Sequence, residues 1–272
     1  GQCEVYLQPK YSLEDGTLAG AEALVRWNHP EWGLQSPAEF IPLFEKNGFI
    51  TELDQFVWDR TCAILEKWDE LGYDPIPVSV NVSRSDVYQA DLDEILVKTV
   101  QRHNLPFSRL HLEITESAYT ENPEQVIETV GYLRELGFVI EMDDFGSGYS
   151  SLNMLGKMPV DILKLDMKFI QNETEKQASQ GILRFTMGLA RWMDLSVVAE
   201  GVETRAEMEA QIQYLTQKYD ARIWILATPL MSVSSSELRR EIKSGKSIAA
   251  YVPSSVEDYI IRNHLYERNG SI

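Results

Sequence analysis

A chain of 272 residues that is 44% hydrophobic and 25% charged is long enough to close one large core and too apolar to stay disordered. Its formal charge of -17 opposes non-specific nucleic-acid binding, which relies on Lys and Arg neutralising phosphates, so DNA is not an expected partner. No run approaches the roughly 20 consecutive apolar residues of a membrane span, and no signal-peptide pattern opens the chain. Cys3 and Cys62 give neither a disulfide framework nor zinc-ligand spacing, which fits a reducing compartment. The expected setting is the cytoplasm, or the cytoplasmic part of a larger, membrane-anchored protein.

Strand-like runs rich in Val, Ile and Leu recur from end to end. They are Glu4 to Gln8, Gly20 to Trp27, Ile76 to Val82, Arg109 to Thr115, Val139 to Phe145, Asp161 to Asp166, Ser196 to Val202 and Arg222 to Ala227. Helical apolar spacing fills the gaps at Ile50 to Leu71, Asp91 to Asn104, Pro123 to Leu136, Glu175 to Met193 and Thr204 to Tyr219. Strand alternating with helix over this length is the rhythm of a closed β/α barrel. The first connection breaks the rule, because YSLEDGTL at Tyr11 to Leu18 is short and carries Asp15-Gly16, a hairpin turn signal. The expectation is an α/β fold: a modified TIM-type (β/α)8 barrel whose first two strands are antiparallel. One domain covers residues 1–252, and 253–272 form a C-terminal tail of unknown role. Trp58, Trp68 and Trp192 sit at helical spacings and are read as packing residues.

Reactive groups of such a barrel collect at the C-terminal ends of its strands. In VSVNVS, alternation puts Val78, Val80 and Val82 on one face and Asn81 on the other, facing the barrel mouth. In LHLEIT, Leu110, Leu112 and Ile114 face outward, leaving His111, Glu113 and Thr115 inside, with Glu116 just beyond. Asp143 and Asp144 end the fifth strand side by side, and adjacent carboxylates need a counter-charge. Lys164-Leu165-Asp166 ends the sixth strand, and Glu200-Gly201-Val202-Glu203 the seventh. Glu22 stands among apolar neighbours, where an unpaired charge is costly. A barrel salt bridge explains any one of these groups equally well, but five strands supply the set. Carboxylates plus an amide, without a His or Cys set, describe oxygen ligands for Mg²⁺ or Mn²⁺. Two ions roughly 3.5–4 Å apart activate water and clamp an in-line phosphoryl displacement. Lys164 then suits holding the attacking water or neutralising transition-state charge.

Together these segments resemble the EAL domain family. Glu22-Ala23-Leu24 lies within AEALVRW, and the family order continues through YLQP at Tyr6, HPEWG at His29, EFIPLFEKNG at Glu39, NVS at Asn81, LEITES, EMDDFGSGYSSL, VDILKLD and VVAEGVET. The likeness covers about four-fifths of the chain. It implies a β/α barrel that opens cyclic di-GMP to linear pGpG. It further implies that Glu22, Asn81, Glu113 and Asp143 hold one metal and that Asp143, Asp144 and Glu200 serve a second. Lys164 would position the nucleophilic water with Glu200 as a base. Gln8, Leu24, Arg26 and Asp166 would contact the ligand, while Glu116 and Glu203 brace the DFGSGYSS loop. A homodimer through that loop, and tethering to sensory or GGDEF-type domains in a longer chain, also follow from the resemblance.

One segment departs from the family pattern. After the last strand the family carries a Gln-Gly pair, whereas this chain reads YDARIWILATPLM from Tyr219. The metal set is complete, which favours hydrolysis. The alternatives are a catalytically weak or inactive EAL domain that binds cyclic di-GMP as a sensor, an enolase-like Mg²⁺ barrel with a Lys base, and a scaffold displaying its outer helices.

Overall fold

The computed structural model describes residues 2–12, 17–120, 122–145, 157–165, 179–199 and 223–225, together with 242, 244, 246–248 and 262. Nine strands are present among them: β1 (Cys3–Tyr11), β2 (Leu18–His29), β3 (Gly33–Gln35), β4 (Val78–Asn81), β5 (Leu110–Thr115), β6 (Val139–Asp143), β7 (Ile162–Leu165), β8 (Ser196–Ala199) and β9 (Ile223–Ile225). Pairing runs β1-β9-β8-β7-β6-β5-β4-β2, and a further β1–β2 ladder joins the ends, so eight strands close a barrel and β3 hangs on β2 as a ninth. From β2 and β4 round to β9 the barrel strands are parallel, whereas β1 runs antiparallel to both of its neighbours. The modified barrel with an antiparallel first pair is therefore the fold. The hairpin turn falls at residues 13–16, outside the described set, but the Ser12 amide donates to the Thr17 carbonyl at 2.8 Å and closes its base.

Each expected strand is found where described, with ends shifted by a few residues. β3 was not expected, because three residues carry too little alternation to register; it pairs antiparallel with the end of β2 from Trp27 to His29. β2 stays beside β4 only at Ala21 and Glu22, then leaves the barrel as a ribbon with β1 and β3. Glu22 thus stands at the C-terminal end of the barrel part of β2, although it lies mid-strand.

Helices α1 (Pro37–Asn47), α2 (Ile50–Glu70), α3 (Arg84–Val87), α4 (Leu92–Arg102), α5 (Pro123–Glu135) and α6 (Ser179–Trp192) occupy the connections. The helix expected at Thr204 to Tyr219 lies outside the described residues. α1 is delimited by its own chemistry: Glu39 accepts from the Ser36 amide at 3.3 Å, and Gly48 ends the helix at φ 81°, a conformation that costs glycine nothing.

The core is the layer between the sheet's outer face and the helices. Val78, Val80, Leu110, Leu112, Ile114, Ile140, Leu163 and Leu165 are fully buried there, against Trp58, Leu65, Leu96, Val126 and Val130 from the helices. With apolar side chains committed outward, strand alternation hands the barrel interior to Ser79, His111, Glu113, Glu141 and Lys164. An interior of this kind departs from the branched apolar layers of an ordinary β/α barrel.

The tryptophans divide. Trp58 is fully buried and Trp68 packs partly against the core, but Trp192 is 80% exposed at the end of α6, so the packing expectation fails there. Helical spacing specifies a face without saying which face meets the sheet. Trp58 also reaches the mouth, its Nε1 donating to the Asn81 carbonyl at 2.9 Å. Trp58→Phe removes this bond and leaves a void, so unfolding free energy should fall by about 1–3 kcal/mol in urea titration. An unchanged midpoint would mean the indole neither fills its site nor holds Asn81.

Candidate active site

Parallel strands deliver their C-terminal ends to one rim, and the expected residues meet there. Lys164 on β7 is 1% exposed. Its Nζ lies 2.8 Å from Glu113 Oε2 on β5, 3.3 Å from Glu22 Oε2 on β2 and 3.5 Å from Asp143 Oδ1 on β6. The contact with Glu113 is an ion pair without hydrogen-bond geometry, so Oε2, although buried, makes no hydrogen bond. Asn81 stands beside Glu113 in the β4–β5 register, exposed toward the mouth. Asp144 leaves the strand with φ 56°, and its amide donates to Asp143 Oδ1 at 2.8 Å. Neighbouring carboxylates are thereby turned apart, and one of them is capped by backbone.

Glu116 follows β5 in a 3-10 turn and is 2% exposed. Gln8, Leu24 and Arg26 lie on the ribbon above the barrel, where Gln8 pairs with Glu22 and Tyr6 with Leu24 across β1 and β2. Arg26 donates to the Val25 carbonyl at 2.8 Å, and its guanidinium lies 5.8 Å from the centre of the Tyr6 ring. Asp166, Glu200, Glu203 and residues 146–156 lie outside the described residues, so of the ligands expected for a second metal only Asp143 and Asp144 are described.

A second tier below the mouth was missed from sequence. Lys10 on β1 donates to Ser79 Oγ at 2.6 Å, Glu113 Oε1 at 3.1 Å and Glu141 Oε2 at 2.8 Å. Glu141, 1% exposed, also accepts from Ser79 at 2.8 Å and shares a 2.7 Å bond with His111 Nδ1. Alternation carried the signal: Glu141 is two residues before Asp143 and Lys10 two after Gln8, on the same strand faces. Burial alone would raise the Glu141 carboxyl, but the His111 bond and the Lys10 ammonium outweigh it and hold it well below the usual carboxylate range. Burial also pushes Glu113 up, to about 8; Lys164 and Lys10 oppose the shift, while Glu22 and Glu141 add to it.

Among the described residues no three His, Cys, Asp or Glu side chains already form a metal's inner shell. Three carboxylates nevertheless converge on one ammonium, and one buried oxygen lacks a hydrogen bond. Within the described interior, Glu22, Glu113, Glu141 and Asp143 face Lys10, Lys164 and His111, so acids outnumber cations. All the donors are hard oxygens. Charge and donor type therefore both fit a divalent cation such as Mg²⁺ or Mn²⁺.

Where β2 parts from β4, a cavity of about 510 Å³ opens beside Leu24 and Asn81, walled by Pro37 and Ile41 of α1 and by Ser83 and Asp54. That volume is in the range of small-ligand sites. Beneath it, Asp54 and Asp86 are 7% and 1% exposed, and Asp54 Oδ2 and Asp86 Oδ1 have no hydrogen-bond partner. Ser83 braces the other Asp86 oxygen through its amide at 3.0 Å and through its hydroxyl. Burial, reinforced by Asp86, raises Asp54 to about 9, so Asp54 keeps its proton under the segment that follows Asn81.

The fold and site define the class of protein: a β/α barrel with one reversed strand and a mouth lined by carboxylates and a lysine. This chain belongs to the EAL domain family, whose model matches residues 1–216. It is 40% identical over 207 residues to the cyclic di-GMP phosphodiesterase NbdA of Pseudomonas aeruginosa, covering 76% of this chain and 26% of NbdA. To the bifunctional diguanylate cyclase/cyclic di-GMP phosphodiesterase MucR of the same organism it is 36% identical over 208 residues, covering 76% and 30%. The structure of the PaMucR phosphodiesterase in complex with c-di-GMP matches with a TM-score of 0.75 at 33% identity, over 87% of this chain and 94% of that one. The EAL enzyme Bd1971 in its cAMP and cyclic-di-GMP bound form gives 0.73 at 27% identity, over 90% and 65%. The chain spans about a quarter to a third of the length of these two curated relatives. No helix among the described residues is long and apolar enough to cross a membrane.

An Asp ordinarily loses its proton near 3.8, whereas Asp54 keeps it to about 9. Folding therefore takes up a proton between those values, and the pair costs stability as pH rises through that window. Asp54→Asn removes the titration, so the melting temperature of the variant relative to the unsubstituted protein should climb steadily from pH 5 to pH 8.5. A difference that is flat with pH would show that Asp54 does not keep its proton in the folded protein.

Proposed function

We propose that this chain is a metal-dependent phosphodiesterase that hydrolyses cyclic di-GMP to linear pGpG and so lowers the level of that messenger. The observation that carries the proposal is the convergence of Glu22, Glu113 and Asp143, from three strands, within 3.5 Å of one lysine ammonium. Family membership and the named activities of the relatives supply the substrate.

Glu22, Asn81, Glu113 and Asp143 would hold one ion, and Asp143, Asp144 and Glu200 a second. When bound, Mg²⁺ or Mn²⁺ supplies an acidified water and neutralises phosphoryl oxygens. The residues of the chain do the rest. Lys164, held by carboxylates at the mouth, donates to the attacking oxygen or to the phosphoryl oxygens on which charge gathers. Glu200 accepts the water's proton. The new bond is from water oxygen to phosphorus, and the bond from phosphorus to the ribose 3′ oxygen breaks; that oxygen leaves with a proton, giving the 5′-phosphate of pGpG. Arg26 offers paired donors to a phosphate, and Gln8, Leu24 and Asp166 complete the ligand's walls. Glu116 and Glu203 would brace the DFGSGYSS loop. Residues 1–252 are read as the catalytic unit with 253–272 as a tail, and the relatives' length is consistent with further domains in a longer chain.

A second reading has its own observation. The family match stops at residue 216, just before the Tyr219 segment that lacks the Gln-Gly pair. On that ground the barrel would be a sensor that binds cyclic di-GMP without cleaving it.

Cyclic di-GMP incubated with the protein and Mn²⁺ or Mg²⁺ should give pGpG by chromatography, and EDTA should stop it. Glu22→Ala should reduce the rate by more than the roughly 10–100-fold of an outer-shell change. Ligand retained intact, with measurable binding, would establish the sensor instead.

A further inference from the structure

β1 runs against the other barrel strands, so its inner face descends from Gln8 at the mouth to Lys10 below it. From there one ammonium, on a side chain 12% exposed, reaches Ser79 on β4, Glu113 on β5 and Glu141 on β6. The β5–β6 register sets Glu113 directly beside Glu141, each 1% exposed. Two carboxylates at adjoining positions repel, and Lys10 is the cation that touches both. It takes Oε1 of Glu113, leaving Oε2 turned up toward Lys164 and the mouth.

We propose that Lys10 is a positioning residue, a strut across the barrel that fixes Glu113 from below so that its upper oxygen is presented to a divalent cation. The role presupposes the metal site proposed above, and Lys10 itself touches neither the mouth nor substrate. Its charge disfavours a cation nearby, yet it sits on the far side of the Glu113 carboxylate. Without it, Glu141 pushes against a carboxylate that has lost its lower anchor, and a ligand that is not held contributes little to binding. Ser79 and His111 fix the strut's other contact, Glu141, at 2.8 and 2.7 Å.

The test is Mn²⁺ binding by isothermal titration calorimetry on the whole 272-residue chain, with melting temperatures measured alongside. Lys10→Met should weaken Mn²⁺ affinity by about 10-fold or more, the usual effect of removing an outer-shell partner. Lys10→Gln, which keeps a donor but no charge and serves if the Met variant does not fold, should weaken it by several-fold, on the order of 5-fold. Glu141→Gln disturbs the same cluster while leaving the Lys10–Glu113 contact, and should stay within about 3-fold. Unchanged affinity in the Lys10 variants, or an equal loss in Glu141→Gln, overturns the positioning role and leaves the metal site standing. No Mn²⁺ binding by the unsubstituted protein overturns the metal site and the role together.

Discussion

Placing carboxylates inside a closed barrel is the constraint on which this structure turns. Taking charges out of water costs several kcal/mol for each ion after relaxation, and a carboxylate left unpaired would protonate or unfold its strand. The chain answers with two lysines from opposite parts of the ring. Lys164 rises from β7 into the mouth acids, and Lys10 enters from β1 beneath them, with Glu113 held between the two. Lys10 cannot reach its partners unless the barrel is closed, because β1 meets β5 and β6 only across the interior, whereas Lys164 meets Asp143 on the neighbouring β6. Fold closure and the lower tier's charge pairing are therefore one event.

The reversed first strand follows from this need as well as from its hairpin. Running β1 downward places Gln8 and Lys10 on one interior column, and running β2 upward beside it delivers Glu22, Leu24 and Arg26 on the facing column. A two-strand ribbon thus supplies a lower strut, an upper acid and a wall for ligand. β2 then departs from β4, and the parting opens the cavity beside Asn81 that the Asp54–Asp86 pair underlies.

Much of the site was legible from sequence because strand alternation is strict. Glu113, Asn81, Asp143 and Lys164 each stand at the end of an apolar alternation, and a two-residue period leaves little choice of face. Continuing the same period one step inward finds Glu141 and Lys10, but only if both columns are followed below the mouth, where no catalytic signal draws attention. Trp192 shows the converse limit. A helix presents several faces, and only packing selects among them, so an apolar spacing on α6 ended with an indole in solvent.

The sequence by itself determined the strand count of the barrel, the antiparallel opening pair and the interior direction of the acids, since each follows from local periodicity and turn chemistry. Tertiary structure alone decided which charges neutralise one another. Lys10 and Glu141 are separated by 131 residues and Lys164 and Glu22 by 142, and no local pattern links them. Register and closure bring them together, because the partner of a buried charge is chosen by distance through the barrel and not along the chain.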